Sequence, residues 1–136
     1  MRFCSLEVQN PYNYSVAYTP DQTDVVAAFV KSARKAGLGV GFYYSDATNS
    51  YCHVKGGVVV PGAVSAGQLK VTQAEYDALV VAHLTELWTN YGPLEELWFD
   101  GGYHVTLKPT LTALLQKLQP NALVFGGAGI SANALR

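Results

Sequence analysis

The sequence predicts an α/β fold of parallel strands alternating with helices. Three observations carry that expectation. Apolar residues recur at helical spacing in three separate segments, short apolar runs fall between them, and glycine or proline punctuates the joins. Strand and helix in alternation call for right-handed crossovers between parallel strands. No linker, repeat or low-complexity tract interrupts residues 1–136, so one domain is expected.

Met1 to Val8 is a candidate first strand. Asp21 to Ala36 reads as the first helix, with Val25, Val26, Phe29, Val30 and Ala33 at helical spacing. Gly37 is placed to end it through a left-handed cap. Leu38 to Tyr44 follows as a mostly apolar strand, the pattern of a strand covered on both faces. A polar, glycine-rich excursion then runs from Ser45 to Val71, unusually long for a connection and of a kind that often carries function. Thr72-Gln73-Ala74-Glu75 is a capping box that opens a second helix running to about Asn90. Tyr76, Leu79, Val80, His83, Leu84 and Leu87 form its apolar side, and Tyr91-Gly92-Pro93 stops it. The next strand is Leu97 to Asp100. Pro109 fits the first turn of a third helix, which turns Leu111, Leu114, Leu115 and Leu118 toward the core and ends at Pro120-Asn121. Ala122 to Phe125 is another strand.

Composition narrows the function classes. Hydrophobic residues make up 49% of the chain and charged residues 14%, which fits a globular protein with extra apolar surface to cover. A formal net charge of −1 gives no electrostatic reason to expect nucleic acid. No apolar run approaches membrane-spanning length, and Met1-Arg2-Phe3-Cys4 lacks the features of a signal peptide, so a soluble protein of unassigned compartment is expected. Cys4 and Cys52 are far apart and read as ordinary thiols; His53, His83 and His104 are scattered, with His83 in a helix as a structural or exposed residue. No metal site and no cofactor is expected.

The stretch Glu95-Glu96-Leu97-Trp98-Phe99-Asp100-Gly101-Gly102 carries the chemistry. Strand alternation puts Leu97 and Phe99 on one side and Trp98 and Asp100 on the other. A carboxylate at a strand's C-terminal end stands where catalytic groups gather in α/β folds. The glycines after it permit a sharp turn and leave space beside the acid. The plainer role for Asp100 is that of a turn former bonding its own backbone. The loop Gly126-Gly127-Ala128-Gly129 lacks the pattern of a phosphate-binding loop and reads better as a tight loop beside a pocket.

Leu97-Trp98-Phe99-Asp100-Gly101-Gly102, with the helix and the Tyr91-Gly92-Pro93 turn before it, resembles the nucleophile strand of α-L-fucosidases of glycoside hydrolase family 29. Gly37-Leu38-Gly39-Val40-Gly41-Phe42-Tyr43-Tyr44-Ser45 is similar to the family's preceding barrel strand. Phe3-Cys4 followed by Asn13-Tyr14-Ser15-Val16 resembles the segment upstream, and Ala122 to Arg136 the next strand and loop. The resemblance implies part of a (β/α)8 barrel and a retaining hydrolysis in which two carboxyl groups act as nucleophile and acid/base. It implies Asp100 as the nucleophile. Tyr44 at the preceding strand end would offer its hydroxyl to a sugar oxygen or to the nucleophile, or else is a half-buried tyrosine with a local partner. Trp98 would pack near the sugar or fill the barrel interior, and Arg136 would sit near the site. The family's acid/base is a glutamate, but no acidic residue follows Asp100 in this chain. Asp46, just past the strand ending in Tyr44, is the in-chain candidate, with Glu7 second. Glu75 and Glu86 fall on a helix, and Glu95 and Glu96 at the opposite end of a strand. Met1-Arg2 stands where the family carries a His-His-Asp-Gly block, and Ser5-Leu6-Glu7-Val8 replaces its aromatic run.

A complete barrel of this kind usually takes about 200 residues or more. The expectation is therefore a partial, half-like TIM barrel whose open edges and inner face invite association of copies into a homo-oligomer. The partner would be a fucoside or fucosylated glycan. Two other readings remain at this point: an inactive carbohydrate-binding remnant, and a flavodoxin-like α/β protein binding a phosphorylated ligand.

Overall fold

A computed structural model describes residues 20–127 and 129–135. The expected strand at Met1–Val8, the Phe3-Cys4 and Asn13–Val16 segments, Cys4, Glu7, Ala128 and Arg136 lie outside the described residues.

The first helix, α1, spans Val25–Lys35 and starts later than its apolar spacing implied. Asp24 is its cap, accepting the Ala27 N–H at 2.8 Å, while Asp21 accepts the Thr23 N–H at 2.9 Å in a turn of its own. Short polar side chains that bond nearby backbone in this way favour caps over helix interiors. At the other end Gly37 has φ +74°, and the Leu38 N–H reaches back to the Ala33 carbonyl at 3.0 Å. That closure is the left-handed cap expected of the glycine.

Strand β1 is Gly41–Tyr44, shorter than the apolar run that contains it; Leu38 is 63% exposed. The excursion after it holds a small antiparallel sheet of β2 (Thr48–Asn49), β3 (Val54–Lys55) and β4 (Val58–Val59), in that order. Helix α2 spans Gln73–Asn90, and its capping box is closed by the Thr72 N–H donating to Glu75 Oε2 at 2.7 Å. It buries Tyr76, Val80, Leu84, Leu87 and Trp88. Strand β5 is Glu96–Phe99. A single 3-10 turn, Val105–Leu107, leads into α3, Lys108–Leu118, with Pro109 in its first turn and Leu111 and Leu115 buried. Strand β6, Leu123–Phe125, and β7, Ala134–Leu135, close the described chain. The last pair joins parallel strands without an intervening helix, and β7 has no apolar run to announce it.

β1, β5, β6 and β7 form one four-stranded sheet, all parallel, in chain order. A doubly wound scaffold of the flavodoxin kind reverses its strand order at a switch point. The described strands have no such reversal. Phe42, Tyr44, Leu97, Phe99 and Val124 face the helices. Phe42 meets Tyr91 edge-on at 5.7 Å, and Phe99 meets Trp88 at 6.1 Å. The opposite face is open: Tyr43 is 55%, Trp98 49% and Leu123 47% exposed. The expectation that the first of these strands is covered on both faces is therefore overturned. Its unbroken apolar sequence reflects an outer face that is aromatic as well as an inner face that is buried.

The buried Gln119 joins the far end of α2 to the chain before β5. Its Oε1 accepts the Leu94 N–H at 2.9 Å, and its Nε2 donates to the carbonyls of Trp88 at 2.7 Å and Gly92 at 3.0 Å. One side chain thus serves three backbone groups that the helix end and the following turn leave over.

Candidate active site

Asp100 follows β5 directly and lies exposed at the C-terminal end of the sheet. Its backbone is bound to the end of β1: the Asp100 N–H donates to the Tyr44 carbonyl at 3.0 Å, and Ser45 Oγ donates to the Asp100 carbonyl at 3.2 Å. The chain then turns through Gly101 at φ +81° and Gly102 at φ +83°, a region open to glycine and strained for other residues. A Cβ at Gly101 would come within 2.8 Å of the Ala47 Cβ. The first glycine therefore admits a neighbouring loop.

The carboxylate has one partner that alternation decides. Tyr43 donates its hydroxyl to Asp100 Oδ2 at 2.7 Å. That hydrogen bond is the main reason the phenol is held above its ordinary pKa, with burial and the carboxylate's charge adding to it. Tyr43 also meets Trp98 edge-to-face, ring centroids 5.4 Å apart, because the two are register partners. Tyr43, Trp98 and Asp100 thus form one group on the open face.

Tyr44 is not part of it. As the next residue along β1 it points the other way, where its hydroxyl lies 3.0 Å from Nδ1 of His83 on α2. Burial drives the His83 pKa down to about 4, so the ring is neutral. The sequence-based reading offered Tyr44 either to the sugar or nucleophile or as a half-buried tyrosine with a local partner, and its geometry here is the second. The signal that could have found Tyr43 is alternation, once the helix-facing side of the strand is known.

Asp46 lies just beyond β1, as expected, but it has no exposed surface. Its Oδ2 accepts the His104 N–H at 3.0 Å, and its Oδ1 is buried with no hydrogen-bond partner. Burial holds its pKa above the usual carboxylate range, against the bonds that favour the charged form. A group that protonates a leaving group needs access to it, and Asp46 has none from the open face in this structure. Trp98 stands on the open face beside Asp100, as alternation required. Arg136 lies outside the described residues. Among the described residues no cluster of three or more His, Cys, Asp or Glu side chains could hold a metal ion.

The glycine loop after β6 is explained by packing. Gly126 has φ +66°, and a Cβ there would collide with the Phe99 carbonyl; a Cβ at Gly127 would collide with the Val124 side chain. A separate recess of about 390 Å³, lined by Trp88, Pro93, Leu94, Leu118 and Pro120, lies at the far end of α2 and α3, away from Asp100.

Comparison with known proteins follows the same outline. The family model described as alpha-L-fucosidase matches residues 3–125. Alpha-L-fucosidase 1 of Arabidopsis thaliana is 31% identical over 113 residues, which is 78% of this chain and 19% of that protein. The chain thus spans about a fifth of the length of this curated relative. Among solved structures, a Bacteroides thetaiotaomicron protein described as an alpha-L-fucosidase is similar with a TM-score of 0.67 and 30% identity, covering 85% of this chain and 27% of its own. AlfC from Lactobacillus casei, solved in complex with its α-L-fucose product, is similar with a TM-score of 0.62 and 25% identity, covering 83% and 41%.

Proposed function

Because the chain belongs to the alpha-L-fucosidase family, we propose that it takes part in retaining hydrolysis of terminal α-L-fucosides, with Asp100 as the nucleophile. The observation that carries this reading is the Asp100 carboxylate at the end of a parallel strand, on the open aromatic face, with the Tyr43 hydroxyl on its Oδ2 at 2.7 Å.

In the proposed reaction an Asp100 oxygen attacks the anomeric carbon as the bond to the aglycone breaks. A covalent fucosyl-enzyme forms, and the aglycone leaves with a proton from the acid/base. Water, deprotonated by the same group, then displaces Asp100 and releases fucose with its configuration retained. Tyr43 fixes one carboxylate oxygen and so leaves the other to attack. Trp98 offers an aromatic surface beside the sugar. Arg136 is assigned a sugar contact by resemblance alone. The acid/base carboxyl has to lie about 5–5.5 Å from the nucleophile. Asp46 is withdrawn from that role, and no other described residue is assigned to it.

The four parallel strands are read as an arc of a (β/α)8 barrel, which takes eight. Tyr43, Trp98 and Leu123 are then residues of the barrel interior that await an opposite layer. Self-association of copies covers that face and completes the pocket. The buried state of Asp46 favours a second reading, a carbohydrate-binding remnant without turnover.

Hydrolysis of 4-nitrophenyl α-L-fucoside across a size-exclusion profile decides between them, with Asp100→Asn run in parallel. Turnover confined to an oligomeric peak, and reduced by roughly 10³-fold or more in Asp100→Asn, is the expected outcome. Folded wild-type protein that binds α-L-fucose but turns over nothing in any peak establishes the remnant. Full activity in Asp100→Asn removes Asp100 as the nucleophile.

A further inference from the structure

Among the described residues Asp46 and Gln119 are the buried polar side chains, and Asp46 is the more demanding of the two. A carboxylate buried with an oxygen unpaired is strongly destabilising unless it is neutralised. Its surroundings show what it holds. The Asp46 carbonyl accepts the hydroxyl of Tyr76 at 2.8 Å, which ties it to the first turns of α2. Its Oδ2 accepts the N–H of His104, four residues past Asp100.

His104 is gripped a second time through its ring. Nδ1 lies 2.7 Å from Thr106 Oγ1, and that hydroxyl donates to Asp77 Oδ2 at 2.7 Å. A threonine hydroxyl has one proton, and here Asp77 takes it. The ring nitrogen must therefore be the donor, so His104 carries its proton on Nδ1. Asp77 is anchored in turn by Gln73 Nε2 at 2.7 Å. The near end of the same loop is bound to Tyr44 and Ser45 through the Asp100 backbone. The loop from Asp100 to His104 is thus fastened at both ends to the segment Tyr44–Asp46, and Gly101 packs against Ala47 between them.

We propose that Asp46 is a positioning residue for Asp100: by holding His104 N–H it fixes the loop that sets where the Asp100 carboxylate points. The assignment rests on Asp100 as the reacting group. It replaces proton transfer by Asp46 with a structural contact made through His104, which needs an acceptor oxygen and no ionisation.

Tyr43 reports the aim of Asp100 without any need for turnover, since their hydrogen bond keeps the phenol above its ordinary range. The experiment is an NMR titration of Tyr43, with amide exchange of Gly101–His104, in wild type, Asp46→Ala, Asp46→Asn and Asp100→Asn, each assayed on 4-nitrophenyl α-L-fucoside. Asp46→Ala should return the Tyr43 titration toward that of Asp100→Asn and speed exchange of the loop amides at least ~10-fold, the core amides holding. It should also lower kcat more than it changes KM. Asp46→Asn keeps an acceptor oxygen for His104 and should restore the Tyr43 titration and the slow exchange.

An unmoved Tyr43 titration in folded Asp46→Ala overturns the proposal, as does exchange that quickens equally throughout the chain. Turnover lost in Asp46→Asn with the Tyr43 titration intact would return Asp46 to acid/base chemistry. Turnover retained in Asp100→Asn defeats the nucleophile assignment instead, a result separate from the Tyr43 and exchange readouts.

Discussion

Two neighbouring tyrosines have opposite duties because a strand turns successive side chains to opposite faces. Tyr43 donates to Asp100, whereas Tyr44 meets the neutral ring of His83. A hydrogen bond to a charged group is worth about 1.5–3 kcal/mol, and a neutral one about 1. Tyr43→Phe should therefore reduce kcat by roughly tenfold or more while leaving thermal stability nearly unchanged. Tyr44→Phe should do the reverse, costing about 1 kcal/mol of stability through the core contact with His83. Steady-state kinetics and thermal melts of the two variants check this, and a larger kcat loss in Tyr44→Phe would reverse the assignment. The sequence pointed to Tyr44 for a hydroxyl near Asp100 and not to Tyr43, because an apolar run with aromatic residues on both faces hides its alternation.

At the scale of elements, the helices were the readable part. α2 has the capping box, the apolar side and the Tyr91-Gly92-Pro93 stop that its residues announce. All of those signals are local, within one or two turns of chain. The contacts joining elements have no such signal. Gln119 closes α3 and serves backbone groups at Leu94, Trp88 and Gly92, from 25 to 31 residues away. Gln119→Leu keeps the volume and removes all three bonds. Leaving a buried backbone group unmatched costs about 1–3 kcal/mol, so the variant should lose about 3 kcal/mol or more in urea denaturation. A loss below about 1 kcal/mol would mean that water replaces the side chain. Strands β2 to β4 and β7 were missed for a similar reason: two-residue strands exist through their partners, and they carry no periodicity of their own.

For the molecule as a whole, acid should weaken the fold through His83. Its ordinary pKa is near 6.5, and burial lowers it to about 4 in the native state. The unfolded chain therefore binds more protons between those values, so stability falls as pH drops through that window. The loss is roughly 3 kcal/mol at most by pH 4. Asp46 acts in the opposite sense. Its raised pKa gives a contribution present below the carboxylate's ordinary value of 3.8 and lost as pH rises through the native one. His83→Gln should flatten the pH 4–7 part of the stability curve, measured by urea midpoints. An unchanged slope would locate acid sensitivity elsewhere. The open face of Tyr43, Trp98 and Leu123 belongs to this scale too, since an apolar sheet face in water favours a covering layer.

The sequence by itself determined the order of the main elements, the Thr72 capping box and the Gly37 cap, the parallel alternation and the strand-end Asp-Gly-Gly, because each depends on residues close together in the chain. Family membership was legible there as well, from motifs in the right order. Only the tertiary structure decided which face of β1 meets the helices, that Tyr43 holds Asp100, and that Asp46 is sealed beneath the loops. Those outcomes depend on the register of β1 against β5 and on loops meeting across 55 to 58 residues of chain. Register and loop contact are set by the packing of all the elements together, and no single segment encodes them.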